Sequence, residues 1–236
     1  MTKLSVVIPC YNEAKNIPLI LERFKAVSNR PDVELLLLDN GSTDNSPGVL
    51  QELIPQYSFA RTFCVPVNKG YGYGIVQGLR HLQSTYVGWT HADMQTDPHD
   101  IIKALDILEF NSDPTNMYVK GQRRGRPIAD NVFTCGMSLF ETVYMGAPLW
   151  DINAQPNVFH RDFLQSWTNP PDDFSLDLYA LYMAHRQGLK IHRFDVEFTA
   201  RLHGTSSWNT SLGAKWKFIK RTLDFSVKLK RSLKGR

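Results

Sequence analysis

The sequence is poor in cysteine, with three in 236 residues, at positions 10, 64 and 135. An odd number at wide spacing fits neither a disulfide framework nor a zinc site. A reducing, cytosolic compartment is the default for such a chain. Long apolar runs are also missing. None approaches the roughly 20 residues of a membrane-spanning helix. Near the N-terminus only the short, mostly apolar run Leu4 to Ile8 precedes Pro9, too few residues for the core of a secretion signal. Repeats and low-complexity segments are absent. Acids are scarce at one end: residues 214–236 hold nine Lys or Arg against Asp224 alone, a net charge of +8. The whole chain carries +4, so residues 1–213 carry −4. The basicity belongs to the tail, and no nucleic-acid-binding domain is implied.

What is present is an ordinary globular composition. Hydrophobic residues make up 42%, charged residues 21%, and there are thirteen Phe, nine Tyr and five Trp. So many aromatics need a core, which excludes disorder over most of the chain. The length suits one large domain with an appendage. We expect a domain over 1–211 and a basic amphipathic helix over 212–236.

Apolar runs and helical patterns alternate along the first half. Strands are expected at 4–8, 33–38, 60–65, 85–90 and 117–120. Helices are expected at 12–27, 44–54 and 69–82, and from Asp97-Pro98 to 110. The second half is less regular, with helices at 131–145 and 174–187 and a strand at 190–199. Residues 150–161 read as polar and irregular, and 201–209 as a loop. This order predicts an α/β protein with a mostly parallel sheet covered on both faces. Ligands of such sheets sit beyond the carboxyl ends of the strands. Polar clusters stand at four successive strand ends: 9–13, 39–44, 68–74 and 91–97.

The cluster His91-Ala92-Asp93-Met94-Gln95 puts a carboxylate at a strand end, with an amide oxygen two residues on. That donor set suits Mg²⁺ or Mn²⁺, which take few protein oxygens and leave positions for phosphate. Alone, Asp93 could equally cap a turn. The glycines of Asn68-Lys69-Gly70-Tyr71-Gly72-Tyr73-Gly74 are spaced G-x-G-x-G and follow the third strand. A dinucleotide loop needs G-x-G-x-x-G after the first strand, so that reading is poor.

Six motifs in order, across residues 4–207, resemble family 2 glycosyltransferases. They are Ser5 to Glu13, Leu38 to Asp44, Asn68 to Gly72, His91 to Gln95, Gly121-Gln122-Arg123, and Arg201-Leu202-His203-Gly204-Thr205-Ser206. The fourth is similar to the D-A-D-L-Q signature of dolichyl- and polyprenyl-phosphate sugar transferases. The resemblance implies a GT-A (Rossmann-like) fold and transfer from a UDP- or GDP-sugar, normally with inversion. By resemblance, Pro9, Tyr11 and Glu13 line the nucleotide pocket and Asp39 bonds the base. Lys69 and Ala92 join them within their motifs. Asp93 and Gln95 hold the metal and through it the diphosphate. Arg123 faces a phosphate, and Arg201 with Ser206 clamps the diphosphate. The chemistry is coherent, because a metal and an arginine favour the charge that gathers on a leaving diphosphate, and a guanidinium fork bonds two phosphate oxygens.

Two departures stand out. His91 replaces the first acid of D-A-D, either as a metal ligand that favours Mn²⁺ or as a neutral hydrogen-bonding group. Asp151-Ile152-Asn153-Ala154-Gln155-Pro156-Asn157-Val158-Phe159 replaces the usual D-x-T-S-G-F-R, and is similar to enzymes of bacterial surface-polysaccharide synthesis. By resemblance, the expected acceptor is polyprenyl phosphate or a saccharide or lipid-linked hydroxyl. A hydroxyl acceptor needs a general base, for which Asp151, Asp173 and Asp177 are candidates. An anionic phosphate needs none. Asp151 is the preferred candidate, since Asp173 could instead start a helix.

At 100° per residue, Leu212, Trp216, Ile219, Leu223 and Val227 form an apolar stripe, extended by Phe218, Phe225, Leu229 and Leu233. Lys217, Lys220, Arg221, Lys228 and Arg231 lie opposite. Such a helix suits an anionic membrane surface, here the inner face of the cytoplasmic membrane, or the flank of the protein body. A nucleotidyltransferase is the competing enzyme class, but its glycine-rich loop should follow the first strand. A membrane-bound adaptor would leave Asp39, Asp93, Gln95 and Arg201 without a role.

Overall fold

The computed structural model describes residues 2–25, 29–93, 95, 97–125, 128–197 and 212–234, with backbone alone at 128–135, 212–218 and 233–234. Strands β1 (Leu4–Cys10), β2 (Val33–Asp39), β3 (Ala60–Cys64) and β4 (Tyr86–Trp89) alternate with helices α1 (Ile17–Lys25), α2 (Ser46–Leu53) and α3 (Tyr71–His81). Next come α4 (His99–Glu109), β5 (Met117–Arg124), α5 (Ile128–Met145), β6 (Asn157–His160) and a short α6 (Asp162–Gln165). The chain ends with α7 (Leu176–Arg186), β7 (Lys190–Glu197) and α8 (Leu212–Lys234).

All seven strands form one sheet in the order β3-β2-β1-β4-β6-β5-β7. Only β6 runs against its neighbours, antiparallel to β4 and β5. The central strands are apolar on both faces because both are covered. Leu4, Val6, Ile8, Leu35 and Leu37 point into one layer with α1, α2 and α4. Val7, Leu36 and Leu38 point into the other with α3 and α7. Helix α3 comes close to the sheet at Gly78, where a Cβ would stand 2.9 Å from Val7. The second layer also holds an aromatic cluster. Trp167 meets Phe163, Tyr179 and Trp89 edge-on at centroid distances of 5.5–6.4 Å, the favoured arrangement of ring quadrupoles.

Three expectations are corrected. Residues 150–161 are not wholly irregular: 157–160 form β6, in the middle of the sheet. The expected helix 12–27 begins only at Ile17, because Asn12 is left-handed at φ 57° and Asn16 still belongs to the turn. Strand β5 continues past 120 to Arg124, which places Gly121, Gln122 and Arg123 inside the strand. The expected loop 201–209 lies outside the described residues.

Helix α8 packs on α5. Ser226 and Leu229 are buried, and Phe225 packs against the second core layer. The Ser226 hydroxyl donates to Glu141 Oε2 at 2.7 Å. Lys220, Lys228 and Arg231 remain exposed. Part of the expected apolar stripe is thus spent on the body. The flank with Ile219, Leu223 and Val227 stays half-buried.

Candidate functional site

The carboxyl ends of β1, β2 and β3 are level, with Cys10, Asp39 and Cys64 in one row across the sheet. The loops beyond them are sewn together. Asn12 Oδ1 accepts from the Thr43 and Asp44 amides at 2.8 and 3.2 Å. Asp44 accepts from the Ala14 amide and from the Ser46 amide and hydroxyl. Burial would raise the Asp44 carboxyl, but the bonds from Ser46 outweigh it and leave it below the usual range. The left-handed turn at Asn12, a residue that tolerates it, aims this acceptor at the second loop.

Asp39 is nearly buried. Its Oδ1 accepts from the Ser42 amide at 2.9 Å and its Oδ2 meets the Cys64 thiol at 3.3 Å. Pro9 and Glu13 are half-buried beside it, and Tyr11 is 44% exposed at the mouth. Gly41, at φ +70°, lies so close to the third loop that a Cβ would be 2.5 Å from the Asn68 amide. Lys69 is exposed, its ammonium 5.0 Å from the Tyr73 ring.

The fourth strand end carries His91 and Asp93, both half-buried, with Ala92 and Gln95 buried. Asp93 Oδ1 accepts from the Gln95 amide at 3.2 Å, a turn that keeps the carboxylate at the strand end. The His91 ring lies 5.7 Å from that of Tyr71. Among the described residues no three His, Cys, Asp or Glu side chains form a metal cluster. One carboxylate with an imidazole and an amide nearby is a donor set that fits a divalent cation sharing its shell with phosphates, not a closed protein cage.

Arg123 and Asp151 do not stand apart, as two separate substrate contacts would. The Arg123 amide donates to Asp151 Oδ2 at 2.8 Å, and its guanidinium donates to Oδ1 from Nε at 2.8 Å and from Nη2. Burial would raise the Asp151 carboxyl, but the charge and hydrogen bonds of Arg123 hold it below the usual range. Asp173 Oδ1 accepts from the Ser175 amide at 2.8 Å, and its Oδ2 lies 3.4 Å from Arg221 Nε. Arg201 and Ser206 lie outside the described residues.

Asp177 heads a buried polar network. It accepts from Trp89 Nε1, Gln155 Nε2 and Asn157 Nδ2 at 3.2, 2.9 and 3.3 Å. Burial raises its carboxyl, although Lys120, His91 and these donors act against that. Lys120 is fully buried. Its ammonium donates to the carbonyls of Ile152 and Ala154 and to Asn157 Oδ1 at 2.7, 2.6 and 2.9 Å. Burial pulls Lys120 down to about 7, the charge of Asp177 notwithstanding. Reading the sequence did not single out Lys120. Its signal is a lysine that ends an apolar run inside a strand.

A profile described as glycosyl transferase family 2 matches residues 5–146. The chain belongs to glycosyl transferase family 2. Family 2 membership accounts for the strand-end loops through Asp93, all of which fall inside the match. Among curated relatives, a polyprenol monophosphomannose synthase of Mycolicibacterium smegmatis is 27% identical over 87% of this chain and 81% of its own length. An undecaprenyl-phosphate 4-deoxy-4-formamido-L-arabinose transferase of Serratia proteamaculans is 33% identical over 47% of this chain. That match spans only 35% of the relative's length. Among solved structures, the glucosyl-3-phosphoglycerate synthase of Mycobacterium tuberculosis with UDP superimposes at a TM-score of 0.72. It is 21% identical over 96% of this chain and 79% of that one. The same synthase with Mn²⁺, UDP and glucosyl-3-phosphoglycerate gives 0.71 at 20% identity, over 94% and 77%. At this identity the likeness establishes the GT-A fold.

Proposed function

We propose that the chain is a divalent-metal-dependent, inverting glycosyltransferase that moves a sugar from a nucleoside-diphosphate sugar to polyprenyl phosphate. The donor reading rests on Asp39 and Asp93 at the ends of β2 and β4, the two strands that flank β1, within the family match. Asp39 would accept the imide or amide N–H of the base, and Tyr11 would cover the base with its open ring face. Asp93, with Gln95 and His91 close by, would hold Mn²⁺ or Mg²⁺ against the diphosphate. That cation would supply Lewis-acid stabilisation of the leaving group. The relatives' UDP and Mn²⁺ complexes and their polyprenyl-phosphate names support this reading.

The state of the three candidate bases favours a phosphate acceptor. Asp151 is saturated by Arg123, Asp173 is engaged by Ser175 and Arg221, and Asp177 is buried under three donors. A hydroxyl acceptor needs a carboxylate free to take its proton. A phosphate oxygen attacks as the anion it already is. It forms the new bond to the anomeric carbon while the bond from that carbon to the nucleoside diphosphate breaks. Arg123, oriented by Asp151, would steady the acceptor phosphate. Arg201 and Ser206 would close on the diphosphate.

Attachment to the inner membrane face would use the exposed cations of α8, Lys220, Lys228 and Arg231, with its half-buried apolar flank. Among the described residues no helix is long and apolar enough to cross a membrane. The test is calorimetric binding of UDP and GDP, with and without Mn²⁺, to the chain and to Asp93→Ala. Metal-dependent binding of one nucleotide, lost in the variant, is expected. Failure of a folded chain to bind either nucleotide sinks the donor reading. Transfer of sugar to a saccharide hydroxyl but not to polyprenyl phosphate sinks the acceptor reading.

A further inference from the structure

The C-terminal helix reaches the site by a route that surface attachment does not need. We propose that α8 is a positioning element of the transfer site: Arg221 holds Phe174, Phe174 holds Tyr71, and Tyr71 sets the turn that carries His91 and Asp93. The inference rests on the assignment of Asp93 to the donor site.

Arg221 stands 5.4 Å from the centroid of the Phe174 ring and 3.4 Å from Asp173 Oδ2. A guanidinium over a ring face, anchored by a carboxylate, is an attractive and directional contact. Phe174 is 40% exposed, so burial alone does not fix its ring. It stacks on Tyr71 at 4.6 Å and 13°. The Tyr71 ring in turn lies 5.7 Å from that of His91, two residues before Asp93. The Tyr71 hydroxyl also meets Gln155 Nε2 at 3.4 Å, at the edge of the Asp177 network.

The backbone of the same segment reinforces the path. The Tyr73 amide donates to the Asp172 carbonyl at 3.0 Å. Gly70 and Gly72 press on it so closely that a Cβ at either would lie 2.3 Å from a carbonyl oxygen, of Asp172 or Pro171. Residues 171–174 are thus wedged between α8 and the turn that opens α3. A displacement of α8 that frees Phe174 reaches Tyr71 without crossing the apolar core.

The experiment uses the full chain labelled with 3-fluorotyrosine, with the Tyr71 signal assigned by Tyr71→Phe. Arg221→Met keeps the apolar stem and removes the cation, and Phe174→Leu removes the ring. Both should move the Tyr71 fluorine signal at an unchanged Tm. Both should weaken Mn²⁺-dependent nucleotide binding about tenfold, the scale of one lost ring contact. Arg221→Lys should recover part of each effect. An unmoved Tyr71 signal in the two folded variants overturns the relay. So does a moved signal with nucleotide affinity within twofold of the parent. Should Arg221→Met lower the Tm, Phe174→Leu decides. If the parent binds neither UDP nor GDP, the functional reading fails, and the fluorine signal still decides the relay.

Discussion

Strands β1 to β4 and strands β5 to β7 share one sheet, but their interiors are stabilised differently. Around β1 to β4 the interior is mainly apolar, Ser5 is the one buried polar residue inside these strands before their ends, and the buried groups Asp39, Asn40 and Gln95 sit at or beyond strand ends. Around β5 to β7 the apolar interior also encloses a polar network: Lys120, Asn157, Gln155 and Asp177 are joined by hydrogen bonds within the packed layer. The first region is held mainly by area removed from water. The second is held by pairing, and an unpaired group in a dry interior is costly. The β1 to β4 interior is therefore held mainly by apolar burial, and the β5 to β7 interior also by specific links.

Lys120→Met should break this comparison most. It removes a donor from the Ile152 and Ala154 carbonyls, leaves Asn157 Oδ1 to the Tyr118 hydroxyl and takes a cation whose charge acts on Asp177. A loss of about 4 kcal/mol by urea unfolding is expected. A loss under 1 kcal/mol would mean that the polar interior is not what holds β5 to β7. Gly88→Ala probes the seam between the two regions. Its Cβ would stand 2.2 Å from the Asn157 carbonyl, and about 3 kcal/mol should be lost. Asp151→Asn leaves Arg123 without its countercharge and should cost about 2 kcal/mol, with a larger fall in transfer rate than in nucleotide affinity. Arg30→Ala is the contrasting change on the first side. Arg30 pairs with Asp32 and Asp106 near the surface, so about 1 kcal/mol or less is expected, and less still in high salt.

A pH series sharpens the comparison where α8 docks. Burial lifts the Glu141 carboxyl from 4.5 to about 7. The folded chain keeps a proton that the unfolded chain releases near 4.5. This group's contribution to stability therefore falls as pH rises from about 4.5 to about 7 and is level above. Glu141→Gln should flatten that slope and raise the Tm at pH near 8. An unchanged Tm–pH curve would show that Glu141 is not held neutral between α5 and α8.

The parallel region was legible in the sequence because strands covered on both faces are continuous apolar runs. Each of the first five runs became a strand within a residue or so at its start. Strand β6 was not legible. Its four residues include Asn157, which serves the polar network, and only Val158 and Phe159 are apolar. The loops of Asp39 and Asp93 could be read from position alone, since they follow strands. The Arg123–Asp151 pair could not, because 28 residues and a helix separate its members. Asp177 looked like a candidate base because an acid near a helix start is ambiguous until its burial is seen.

The place of β6 in the sheet also bears on how the chain is made. Strand β4 has β1 beside it early in synthesis. Its other edge is covered only by β6, and Asn157 follows Trp89 by 68 residues. At about 5–20 residues per second, that edge stays open for about 3–14 s on the ribosome. Tyr86-Val87-Gly88-Trp89 is apolar along its length, a template for pairing with a neighbouring nascent chain. Slow translation between residues 90 and 156 should thus favour aggregation, and nascent chains halted before β6 should need a chaperone to stay apart.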